Sequence, residues 1–311
     1  AKNLSALVLP NLGLLTESQI ASVKRFVEGG GGLLATGESS LYDGNGNRRS
    51  DYALSDLFGA HLSEQQSGNS GATLRKRAGE TYHTYLRLTP ELRKKFDGPQ
   101  TGLEPLVSSA RHPVLKGFDE TDILSFGGIL EPVRIDPGTE VLMTFIPQFP
   151  IYPPETAWMR EPKTDIPGLI LNTSSGGGRV AYLPADLDRQ FGRYNLPDHG
   201  NLLANLIRWT AKDDIPLAVE CAGLIDCNLY QQSSQLVMHL VNLTSAGTWR
   251  QPTDEYIPIG QVKVRVKLPD DVHGRSLKLL VSNQKISGKV ENGWIQFTIN
   301  AILDHEVVVI S

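Results

Sequence analysis

The sequence is short of sulfur. Among 311 residues there are two cysteines, Cys221 and Cys227, and three methionines. The two cysteines stand alone, with no second Cys pair and no paired His nearby, so they lack the spacing of a zinc site. They leave two readings open: a bridge across a hairpin, or two buried free thiols. An excess of charge of one sign is also missing. Thirty basic against 34 acidic residues give a net charge of −4, which argues against a nucleic-acid backbone or an anionic membrane as partner. No apolar run approaches the roughly 20 residues that span a bilayer. The opening AKNLSALVLP has no basic stretch followed by a long apolar one, as a leader would. The compartment therefore stays open between cytoplasm and periplasm, as does the removal of a leader or of an upstream portion. No cofactor or metal motif stands out. The N-x-S/T triplets at Asn172 and Asn242 matter only in a eukaryotic secretory setting.

Glycine is plentiful, at 30 residues, and its placement is informative. Leu7-Val8-Leu9 reads as a short buried strand. Thr16-Glu17-Ser18-Gln19 has capping-box form, and Ile20, Val23 and Val27 follow at helical spacing. The helix should end in Gly29 to Gly32, since glycine past a helix adopts positive φ without a Cβ clash. Leu33 to Thr36 is the next strand, completing a β-α-β unit. A phosphate-binding glycine loop needs the opposite order, strand before loop and loop before helix. Further on, residues 51–58 predict a short helix ending at Gly59. Strands are expected in TYHTYLRL and at 130–134, 139–146 and 168–172. QFPIYPPETAW should be an irregular loop. Gly176 to Gly178 predict a turn and Arg179 to Leu183 a strand. Asp198 is the expected N-cap of a helix carrying Leu202, Leu203, Leu206 and Ile207.

From Ile215 the pattern changes. PLAVEC, QLVMHLVNL, QVKVRVKL, LKLLV, WIQFTI and EVVVI are short β-rich runs separated by turns. Val262, Val264, Val266 and Leu268 alternate with Lys263, Arg265 and Lys267, as in an antiparallel strand with one wet face. An α/β domain over 1–212 followed by a β-sandwich over 215–311 is the expected organisation, with Trp249 and Trp294 packing in the sandwich.

LVLPNLGLLTESQIASVKRFVEGGGGLLATGESSLYD, the later HPVLKGF and the strand RVAYLPADLDR together resemble the non-barrel part of bacterial β-galactosidase-like glycoside hydrolases. The resemblance implies a class I glutamine-amidotransferase-like, flavodoxin-like parallel-sheet domain, N-terminally incomplete, associated with trimer formation and followed by a β-sandwich. It also implies a homo-oligomer or an upstream catalytic barrel as partner, and a carbohydrate as ligand. In that family two glutamates on an upstream (β/α)₈ barrel do the chemistry. About 210 α/β residues with few helices cannot supply eight β-α units, so the expectation is an accessory portion that is not itself catalytic, or a relative without the barrel.

An amidotransferase-like domain carries a Cys nucleophile on the turn after one strand and a His and an acid after a later one. By resemblance these places correspond to Gly37-Glu38-Ser39-Ser40 and to Asp186 and Asp188. Neither Cys nor adjacent His is present, and a serine needs a base within hydrogen-bond reach to become a nucleophile. One reading joins Ser39 to His199 and Asp186. The plainer one has Ser39, Ser40 and Glu38 satisfying backbone groups at the turn. The candidate ligand-binding residues are Glu38, Ser39, Trp158, Asp186, Asp188, Arg189 and His199, with Trp158 offering an aromatic face to a sugar. No residue is assigned a catalytic or metal-binding role.

Overall fold

The computed structural model describes residues 4–63, 84–93, 112–118, 121–150, 152–161, 163–244 and 255–311. The sequence also predicts a polar, glycine-containing excursion over 61–80 and a loop over KKFDGPQTGLEP; most of the first, all of the second, the start of TYHTYLRL and Trp249 lie outside these residues. The chain divides into two units, Ala1–Asp214 and Ile215–Ser311.

In the first unit, β1 (Ala6–Leu9) leads to α1 (Glu17–Glu28) and back to β2 (Gly32–Thr36). The capping box is formed: Thr16 accepts from the Gln19 N–H, and the Gln19 side chain accepts from the Thr16 N–H. Ile20, Val23 and Val27 are the buried face of α1. Gly32 must be glycine because a Cβ there would collide with the carbonyl of Thr210. Then come α2 (Ser55–Phe58), β3 (Ala60–Leu62), β4 (Tyr85–Leu88), β5 (Ile123–Ser125), β6 (Val133–Ile135), β7 (Glu140–Ile146), β8 (Pro167–Thr173) and β9 (Arg179–Leu183). Two helices close the unit, α3 (Leu187–Tyr194) and α4 (Pro197–Thr210). Gly59 ends α2 in the left-handed conformation, at φ 62°.

The main sheet has seven strands in the order β1-β2-β9-β8-β7-β4-β5. It is mixed, which corrects the expected flavodoxin-like parallel sheet. Only β1, β2 and β9 run parallel; β8, β7, β4 and β5 pair antiparallel. The five residues between β8 and β9 explain the reversal. A parallel return needs a crossover of a dozen or more residues, and the Ser174–Gly178 turn allows only a hairpin. The expected strand over 130–134 also shifts. Pro132 has no N–H to give a ladder, so β6 begins at Val133 and pairs with β3, while Leu130 makes an isolated bridge to Ala185. Asp198 is not the N-cap of α4. Leu196 holds that place, Pro197 starts the helix with its fixed φ, and Asp198 lies in the first turn.

Alternate residues of β2 feed two cores. Leu34 joins Leu169, Leu183, Leu202 and Leu206 on the α4 side. Leu33 and Ala35 join Val23, Val27, Phe58 and Tyr182 on the α1 and α2 side. Full burial of each of the Leu, Val and Phe side chains stabilises by about 1.5–3 kcal/mol.

The second unit contains β10 (Leu217–Glu220), β11 (Ile225–Gln232), β12 (Gln235–Asn242), β13 (Ile259–Lys267), β14 (Leu277–Leu279), β15 (Gln284–Ile286), β16 (Lys289–Glu291), β17 (Trp294–Ile302) and β18 (His305–Ile310). They form two antiparallel sheets, β10-β13-β17-β16 and β11-β12-β18-β14-β15. Val262, Val264 and Val266 point into one core with Met238, Phe297 and Val308, while Lys263, Arg265 and Lys267 stay exposed. Trp294 is partly buried, with the Arg265 guanidinium 5.0 Å from its ring centroid. Cys221 and Cys227 are free thiols, and burial pushes Cys227 up to about 11.

Candidate functional site at the C-terminal edge of the parallel strands

Ligands of α/β sheets sit outside the carboxyl ends of parallel strands, where the loops diverge. A cleft of 210 Å³ lies at that edge, lined by Asn11 beyond β1, Gly37 and Glu38 beyond β2, Pro184 and Asp186 beyond β9, and Ile129 and Glu131 from the segment before β6. Three of its lining residues are acidic, and among the described residues no serine, threonine, cysteine or histidine lines it.

The turn after β2 is held by its own polar groups. Gly37 at φ 55° and Ser40 at φ 69° bend the chain sharply. Asn11 Oδ1 accepts from the Glu38 N–H at 2.8 Å, and Tyr182 donates its hydroxyl to the Gly37 carbonyl at 2.8 Å. Burial raises the Tyr182 phenol well above its ordinary value, so it stays a donor. Ser39 is fully buried. Its hydroxyl faces the carbonyls of Leu9 at 2.9 Å and Thr36 at 2.8 Å and accepts from the Leu12 N–H at 3.1 Å. Ser40 Oγ accepts from the Leu54 N–H.

The other wall follows β9. Asp186 Oδ1 accepts from the Ile129 N–H at 2.9 Å, and Arg189 Nε donates to Oδ2 at 2.6 Å. Burial raises the Asp186 carboxyl to about 6 against the pull of Arg189, with the Asp188 charge adding to the rise. Asp188 Oδ2 accepts from the Thr36 hydroxyl at 2.9 Å, joining the ends of β2 and α3. Among the described residues, Asp188 Oδ1 and Arg189 Nη2 are buried without a hydrogen-bond partner.

Glu38 and Asp186 thus meet at one cleft, with Asp188 and Arg189 behind it. Ser39 is spent on backbone groups. His199, in the first turn of α4, gives its Nε2 to the Ser125 carbonyl at 2.8 Å, and burial lowers its pKa. The Ser39–His199–Asp186 arrangement is therefore not assembled. Trp158 does not line the cleft. It lies 39% exposed in the proline-rich loop, with the Arg160 guanidinium 3.7 Å from its ring centroid, so one face is already covered. Asn11, Ile129 and Glu131 were not singled out by the sequence. Asn11 carried a signal, standing just past the first predicted strand. Glu131 carried none, because only the bridge of Leu130 to Ala185 brings it there. Among the described residues no group of three or more His, Cys, Asp or Glu side chains could hold a metal ion.

No family model matches the sequence, and no curated protein does. Solved structures are similar. One is α-L-fucosidase isoenzyme 2 from Paenibacillus thiaminolyticus, at 16% identity and TM-score 0.64, covering 99% of this chain and 40% of the fucosidase. Another is a β-galactosidase from Bacillus circulans sp. alkalophilus, at 13% identity and TM-score 0.55, covering 99% of this chain and 33% of that one. A third is a β-galactosidase from Rahnella sp. R3, at 12% identity and TM-score 0.53, covering 98% and 32%. Over nearly its whole length the chain is similar in fold to a part of these glycoside hydrolases, spanning 40% or less of each.

Proposed function

We propose that this polypeptide is the accessory, non-barrel portion of a β-galactosidase-like glycoside hydrolase, with an amidotransferase-like α/β domain that serves oligomer assembly, followed in sequence by a β-sandwich. One observation carries the reading: both units match the same solved glycoside hydrolases together, over 98–99% of this chain and only 32–40% of theirs. The buried Ser39 hydroxyl supports it, since a group bonded to Leu9, Thr36 and Leu12 is not free to attack a substrate. The trimer, the carbohydrate substrate and the two catalytic carboxylates of an upstream barrel belong to the same proposal. Chromogenic galactosides and fucosides incubated with the purified chain should show no turnover, while light scattering after size exclusion should show an oligomer. Turnover lost on Ser39→Ala, or a strict monomer at high concentration, would overturn the proposal.

The cleft favours a second reading, a site for a small polyhydroxylated ligand. Its acidic lining residues, Glu38, Glu131 and Asp186, are of the type that accepts hydrogen bonds from ligand hydroxyl groups. Galactose titrated into the labelled chain should then shift amide signals of Gly37 and Glu38, and Glu38→Gln should abolish the shift.

A further inference from the structure

His61 lies between two acids. Its Nδ1 is 2.6 Å from Asp51 Oδ2 and its Nε2 is 3.2 Å from Asp136 Oδ2. An ionised carboxylate only accepts hydrogen bonds, and a neutral imidazole has a single N–H. Both contacts are hydrogen bonds only while the ring carries two protons. Asp51 is held ready for this. Burial pushes its carboxyl up, but the N–H groups of Leu62 and Tyr52 and the His61 ring outweigh it, leaving it below the usual carboxylate range. The facing groups come from three segments: Asp51 ahead of α2, His61 on β3, and Asp136 just past β6, with Arg134 as the cross-strand neighbour of His61.

Two of these segments, β3 and the end of β6, belong to a two-stranded ribbon that is not hydrogen-bonded into the main sheet and is three residues long on each side. So short a pair has little stability of its own. The same ribbon continues into the cleft wall. The Ser63 N–H donates to the Pro132 carbonyl, and the Glu131 N–H to the Pro184 carbonyl. Ile129 and Glu131 line the cleft directly.

We infer that Asp51, His61 and Asp136 form a proton-operated latch on this ribbon: the doubly protonated ring bridges both acids, and loss of one proton opens an arm and slackens the cleft wall. Protonation of the ring closes the latch and loss of that proton opens it. It stands whether or not the chain belongs to a glycoside hydrolase.

Amide hydrogen exchange on the full chain tests it, with rates corrected for intrinsic pH dependence. Protection of Leu62, Ser63 and Asp136 should be roughly tenfold higher at about pH 5.5 than at about pH 8, with β9 amides unchanged. His61→Gln and Asp136→Asn should each flatten that difference. Nitrogen NMR of the wild-type ring at the lower pH should show both nitrogens protonated, a readout that survives even if a variant fails to fold. Equal protection at both pH values, an unchanged pH response in His61→Gln, or a singly protonated ring at the lower pH would each overturn the latch.

Discussion

Ser39 Oγ lies 2.9 Å from the carbonyl oxygen of Leu9, thirty residues earlier in the chain. The contact ties the turn after β2 to the end of β1, and the Leu12 N–H donates back to the same hydroxyl. The Ser39 side chain is thereby a strut between the two strand ends.

Ser39→Ala should destabilise the chain by about 1–3 kcal/mol, because it removes the buried donor to the Leu9 carbonyl and the acceptor of the Leu12 N–H. Urea unfolding followed by circular dichroism measures this. An unchanged midpoint would show that the hydroxyl carries no structural load.

Asp186 gives the fold a pH signature. Its native value is raised from 3.8 to about 6, so the native state holds this proton more tightly than the unfolded chain. The contribution is full below about pH 4 and is lost as pH rises through about 6, an effect of roughly 3 kcal/mol. Asp186→Asn should remove this slope. The difference in unfolding free energy between wild type and variant, measured from about pH 4 to 7, isolates it from other carboxylates.

His199 should act with the opposite sign. Burial lowers its native value, and its Nδ1 is buried with no hydrogen-bond partner among the described residues. The unfolded chain therefore takes up the proton first, and stability should fall as pH drops below the ordinary imidazole range. His199→Gln keeps a donor for the Ser125 carbonyl and should lose that dependence. Parallel unfolding curves of the two proteins at about pH 5.5 and 7.5 check it.

Asn242 holds one end of the sandwich. Its amide nitrogen reaches the carbonyls of Ile257 at 2.8 Å and Leu303 at 2.6 Å, and its oxygen accepts from the Thr244 N–H at 3.0 Å. Asn242→Ala should cost about 1–3 kcal/mol, since several part-buried polar groups lose partners at once. Asn242→Asp should cost more, by setting a carboxylate against carbonyl oxygens. Thermal unfolding of the three proteins would rank them. The same bonds should keep this N-L-T triplet unglycosylated in a eukaryotic host, which mass spectrometry of the secreted protein would read.

Local chemistry in the sequence was enough for α1, for β2 and for the valine stripe of β13. Thr16 and Gln19 are three residues apart, Ile20, Val23 and Val27 repeat at 3.6, and Val262, Val264 and Val266 repeat at two. Each rule acts between near neighbours, so no distant contact is needed to read it. The turn at Gly176 to Gly178 was legible too, but its consequence for strand direction was hidden by the expectation of a parallel sheet. Tertiary structure alone decided the cleft and the latch. Glu131 reaches the sheet edge because Leu130 bridges to Ala185. His61 meets Asp136, 75 residues away, because β3 pairs with β6. Such pairings are selected by the joint packing of many side chains, and nothing in the local sequence of either partner encodes them.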